Sequence, residues 1–192
     1  PSAGAAWDGS AADYTWYGDG LADTFYIGTA AELKGLSNIV NGLDGKSSDE
    51  FSEKTIILTS DIDLNSQEWT PIGEDPGQDS GSFWGSFNGN FHTISNLSIT
   101  TAQTLAGLFG FTYGVIANLK VTGRITVSDN SSCTNGSHGE YVGGLAAICQ
   151  GTILNCGSNI SINVSGTNSS GTYVGELTGQ SIAVFNSRAD GA

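Results

Sequence analysis

This sequence predicts an all-β fold: a parallel β-helix of four to five coils, capped at its N-terminal end by one α-helix. Three observations predict it. First, a phrase recurs. Gly107-Leu108-Phe109-Gly110 leads to Ile116-Ala117-Asn118, Gly143-Gly144-Leu145-Ala146 to Ile153-Leu154-Asn155, and Gly175-Glu176-Leu177-Thr178 to Val184-Phe185-Asn186. A sandwich of hairpins gives frequent turns but no such phrase. Second, the spacing varies because of polar inserts at about 128–140 and 165–172, both rejoining at Tyr-Val-Gly (141–143 and 173–175). Inserts at equivalent places are how a solenoid puts its loops on one face. Third, the apolar phase slips by one across each Ile/Val-x-Asn. Ile94 is in phase with Leu97 and Ile99, and Ile116 with Leu119 and Val121. Such a slip marks a corner between two strands. Asn tolerates the left-handed backbone of a tight corner, and stacked Asn side chains can bond in a ladder. Asn96, Asn118, Asn155 and Asn186 are therefore read as structural corners.

The chain divides into an entry segment with the capping helix, residues 1–50, and the winding body, 51–192. The entry carries Trp7, Tyr14, Trp16 and Tyr17 among Asp and Gly, an irregular stretch expected to fold over the domain end. Phe25 to Ile27 reads as a short strand. The helix is expected at about 29–42. Thr29 and Glu32 form a capping box, Leu33, Leu36, Ile39 and Val40 recur at helical spacing, and Asn41-Gly42 supplies the stop. Ile56, Leu58, Ile62 and Leu64 then alternate against Thr55, Thr59, Asp61 and Asp63, a half-buried strand or a pair bent at Ser60.

Composition excludes some partners. Net charge is −13, with six Lys+Arg against 19 Asp+Glu. Phosphate backbones and anionic membrane surfaces would be repelled, and acidic polysaccharides would need a bridging cation. No run is long enough for a membrane-spanning helix. Three cysteines, at 133, 149 and 156, cannot all pair within the chain, and buried or free thiols are expected.

Three stretches in order, "EWTPIG", "FWGSFNGNFHTISNLSI" and "AGLFGFTYGVIANLKV", resemble the GLUG-motif domains of bacterial surface and secreted proteins, including adhesin-like proteins and regions attached to IgA-specific metallopeptidases. The resemblance covers roughly residues 25 to 190. It implies a right-handed winding, an exported bacterial protein that is secreted or at the cell surface, and a larger parent chain. It brings no catalytic residues. Trp84 departs from it, standing where a small or polar residue is expected.

Candidate sites are few. Alternation puts Phe83 and Phe87 inward and Trp84 outward, beside the acidic loop of Glu74, Asp75 and Asp79. An outward Trp near carboxylates suits a sugar platform or a protein anchor. Asp61, Asp63 and Asn65 offer oxygen ligands at every second residue, a pattern that could hold calcium. No other cofactor is suggested. His138 follows Cys133 by five positions, but nothing local completes a zinc set. Tyr141 and Tyr173, at matched loop ends, are expected to stack. The expected function is a non-catalytic adhesive or spacer module, binding host glycans or glycoproteins. The alternatives are an accessory domain of a secreted peptidase or glycan-degrading enzyme, or a small carbohydrate-active enzyme.

Overall fold

The computed structural model describes residues 6–73, 81–101, 105–128, 140–165 and 172–189. Among them the chain is mostly strand, with one helix. Both inserts fall largely outside the described residues, as do Cys133 and His138.

The helix α1 spans Ala30–Val40. Thr29 is its N-cap, and the reciprocal bonds with Glu32 of a capping box are both present. Leu33, Leu36, Ile39 and Val40 are buried. Asn41 ends the helix and Gly42 follows with φ 65°. Asn41 also ties the helix to the body: its Nδ2 donates to the Pro71 carbonyl at 2.8 Å, and its Oδ1 accepts from the Gly73 N–H at 2.9 Å.

Every strand pairing is parallel. The first sheet holds β1 (Thr24–Ile27), β2 (Thr55–Leu58), β4 (Ser86–Asn88), β8 (Val115–Ala117), β11 (Ala146–Leu154) and β14 (Thr178–Phe185) in that order, with β7 (Phe109–Thr112) also on β11. The second runs β3 (Ile62–Asp63), β5 (Thr93–Thr101), β9 (Lys120–Ser128), β12 (Gly157–Ser165), β15 (Arg188–Ala189). The third is β6 (Leu105–Ala106), β10 (Glu140–Gly143), β13 (Thr172–Gly175). Strand order in the sheets follows chain order, so each passage of the chain lays one strand on the last.

The core follows from that register. Phe25, Ile56, Phe87, Ile116, Ile153 and Val184 form one row across the first sheet. The first five are buried, each worth about 1.5–3 kcal/mol; Val184, on the last strand, is half-exposed. Rings from the entry continue inward. Trp16 and Tyr17 pack on Phe25 and Phe51, Phe51 on Phe83, and Phe83 on Phe109. The entry thus folds over the body, as its aromatics predict. Ile56, Leu58, Ile62 and Leu64 are buried, and the chain bends at Ser60.

The corners are asparagines with one reassignment. Asn96, Asn118, Asn155 and Asn186 all have positive φ, between 45° and 57°. Asn186 donates to Asn155, Asn155 to Asn118, and Asn118 to Asn88. The rungs of this ladder lie 31, 37 and 30 positions apart. Asn96 is not in it. It sits where the β5–β9 register shifts between Ile94 and Leu97, and its Nδ2 donates to Asp63 Oδ1 at 2.8 Å. Ile94 accordingly pairs with Val121, while Ile116 pairs with Phe87. The Gly-Leu phrase also slips by one: Phe109 pairs with Ala146, not Leu145, because Gly143-Gly144 adds a residue before the strand resumes.

Cys149 and Cys156 are buried and free. Burial pushes the Cys156 thiol up to about 11. Tyr141 and Tyr173 pair in register and stack at 4.8 Å with 7° between planes.

Candidate functional site

Trp84 lies just before β4, and Phe83 bridges in parallel to Thr112 at the end of β7. The two neighbouring residues, Trp84 and Tyr113, are thereby brought side by side. Phe83 is fully buried, so the alternation turns Trp84 out; it is 46% exposed and Tyr113 40%. The rings stack with centroids 4.1 Å apart and 22° between planes. Phe111 meets Tyr113 edge-on at 5.0 Å. The Trp84 backbone N–H donates to the Glu50 carbonyl at 2.8 Å, fixing the base of the platform.

Glycines make this close stacking feasible. A Cβ on Gly114 would overlap the Gly85 carbonyl oxygen, and one on Gly151 would overlap that of Gly114. The chain turns this corner with consecutive backbones in direct contact, which holds Trp84 and Tyr113 at ring-stacking distance.

Asp61, Asp63 and Asn65 line a cleft with Trp7 and the start of α1. Their polar atoms serve the fold. Asp61 Oδ1 accepts the Thr93 N–H at 2.9 Å and faces His92 Nδ1 at 3.1 Å, and these bonds lower its pKa. Asp63 Oδ1 accepts from the Asn65 N–H and from Asn96 Nδ2, and Asn65 Nδ2 donates to the Trp7 carbonyl. Among the described residues no group of three or more His, Cys, Asp or Glu could share a metal ion. Glu74, Asp75 and Asp79 lie outside the described residues. The described residues contain no helix long and apolar enough to cross a membrane.

The chain matches no family model, and no significant match is found among curated proteins or solved structures. The site therefore stands on its own geometry.

Two participants escape the sequence pattern. Tyr113 becomes the partner of Trp84 only once the Phe83–Thr112 register is known. Asn88 completes the ladder, and the Asn88-Gly89-Asn90 run was its available signal, masked by the absence of an Ile before it.

Proposed function

We propose that the three parallel sheets are the faces of a right-handed parallel β-helix, and that the chain is a non-catalytic adhesive module of an exported bacterial surface protein. It is secreted or held at the cell surface as part of a larger parent chain, and it binds host glycans or glycoproteins through its Trp84 face. The observation that carries this reading is the outward Trp84–Tyr113 stack. A flat aromatic surface half open to solvent gains by covering the apolar face of a sugar ring. The sequence of chain passages through three sheets supports the winding. Six rungs in the longest row make six turns in this reading, against the four to five that the sequence suggests. The order of the GLUG-like motifs supports the export and the hand.

The test is binding to a broad panel of glycans and mucins, with calcium and with chelator. Trp84→Ala is expected to weaken binding by about tenfold or more, as loss of a central aromatic anchor does. Its far-ultraviolet circular dichroism should stay unchanged, because the ring is outside the core. Loss of binding in chelator would show that calcium takes part, and loss of that dependence in Asp63→Asn or in Asp75→Asn would tell the Asp61, Asp63, Asn65 candidate from the Glu74, Asp75, Asp79 one. Binding indifferent to Trp84→Ala would reject the aromatic face, and binding to nothing on the panel would reduce the module to a spacer.

A further inference from the structure

A second aromatic stack flanks the first. Tyr141 and Tyr173, on β10 and β13, pair in register with their ring planes 7° apart. β13 is the last strand of the third sheet, and among the described residues no further ring lies on Tyr173. Tyr173 is 51% exposed, so the outer face of its ring is open to a ligand.

Between the two stacks lies an apolar cluster apart from the core, made of Leu105, Phe111, Ala147 and Ile148. Leu105 pairs with Tyr141, and their strand neighbours Ala106 and Val142 belong to the core. Alternation therefore turns Leu105 and Tyr141 outward. Phe111 and Ile148 pair on the first sheet. Outward side chains of adjoining sheets diverge around a convex coil. Here they meet, each at most 4% exposed, so the outer surface turns inward at this junction. Tyr141 packs on the cluster from the third sheet, and Tyr113 meets its Phe111 edge-on from the first. The two stacks thus stand on opposite sides of one re-entrant corner.

Trp84, Tyr113, Tyr141 and Tyr173 come from four successive passages of the chain. The first and last are three strand spacings apart along the axis, about 14 Å. One sugar ring on one stack cannot touch the other, so a ligand that uses both is a chain. None of these residues is charged, and the net charge is −13, so a neutral ligand suits the corner better than an acidic one. An aromatic face takes the C–H face of a sugar. That face is flattest where every ring substituent is equatorial, as in β-linked glucose and N-acetylglucosamine, and the linkage keeps such chains straight.

We propose that this corner binds a linear, neutral polysaccharide of β-linked, all-equatorial hexose units, the chemistry shared by cellulose-like and chitin-like chains. One stretch lies on Trp84 and Tyr113 and another on Tyr173. The proposal rests on the reading of the chain as a glycan-binding module, and it names the class of glycan.

The experiment is calorimetric titration of the chain with cello- and chito-oligosaccharides from disaccharide to hexasaccharide. Two further probes are maltohexaose, whose α-linkages curl the chain, and a decaproline peptide, since Pro-rich segments also dock in aromatic grooves. Variants are Trp84→Ala, Tyr173→Ala and Tyr173→Phe, each checked for folding by thermal melts. At least one sugar series should bind the parent chain, and the series that binds tells the cellulose-like from the chitin-like ligand. Its hexasaccharide should bind about tenfold tighter than its disaccharide, because the second stack is engaged within the same complex. Tyr173→Ala and Trp84→Ala should each abolish that gain, and Tyr173→Phe should retain it. Affinity that does not grow with length, growth that survives Tyr173→Ala or is lost in Tyr173→Phe, equal binding of maltohexaose, or tighter binding of decaproline would each overturn the proposal. Absence of binding by both series would overturn it too. Binding of other glycans, lost in Trp84→Ala, would then leave the Trp84 face standing, whereas binding to no glycan at all would remove both readings.

Discussion

Gly114→Ala is expected to destabilise the chain by about 3 kcal/mol or more, at the upper end of overpacking costs. The added methyl would overlap the Gly85 carbonyl oxygen and crowd the Trp84 carbonyl carbon, both backbone atoms of the preceding passage. Neither can rotate away as a side-chain tip would. The corner must open, and opening it pulls Ser86 from Val115, the first pair of the β4–β8 ladder. The same change separates Trp84 from Tyr113, so stability and glycan binding should fall together. Gly157→Ala is the matched control. Its Cβ has room, and replacing glycine at a compatible position can gain about 0.4–1 kcal/mol by restricting the unfolded chain. Chemical denaturation of the two variants beside the parent chain reads both effects. Similar midpoints for Gly114→Ala and the parent would show that the corner backbones are not in contact.

Phe83→Ala should cost about 3–5 kcal/mol, the usual range for deleting a buried ring. Phe83 has no exposed surface, and its ring sits between Phe51 at 6.2 Å and Phe109 at 5.5 Å. It therefore links the rings of the entry to those of the body. Its removal leaves a void that rigid neighbours on both sides cannot fill. For a domain of this length the loss corresponds to a fall in Tm of about 10 °C. Trp84→Ala, one position along, removes a larger ring but a half-exposed one, and should cost about 1 kcal/mol of pair energy. A larger loss from Trp84→Ala than from Phe83→Ala would invert the assignment of inward and outward faces.

Most of what local chemistry decides was legible in the sequence. The capping box at Thr29 and Glu32, the alternation from Ile56 to Leu64 and the outward Trp84 follow from short-range pattern, the Tyr141–Tyr173 stack follows from the matched ends of the repeat, and the structure places each as predicted. What the sequence left open was register. Ile94-Ser95-Asn96 has the same local requirement as Ile116-Ala117-Asn118: an inward residue, then a positive-φ turn. The two serve different corners, one at a shift in the second sheet and one in the ladder, so the phrase alone could not separate them. Misplacing Asn96 hid Asn88, and it hid the pairing of Phe83 with Thr112 that brings Tyr113 to Trp84.

Parallel register underlies the proposed Trp84 face, and engineered disulfides test it directly. In β9 and β12, Thr126 pairs with Asn163, while Lys120 and Ser165 stand at opposite ends of the two strands. Eight residues of strand separate those ends by about 26 Å, far beyond disulfide reach, whereas neighbouring strands lie within it. An antiparallel pairing of the same strands would instead bring positions 120 and 165 together. Cysteine pairs are introduced at 126 and 163 in one variant and at 120 and 165 in another. Each is oxidised under native conditions and mapped by peptide mass spectrometry. A link between 126 and 163 with none between 120 and 165 is the expected result. A link between 120 and 165, or none at 126 and 163 in folded protein, would contradict the stacked parallel winding and the site built on it.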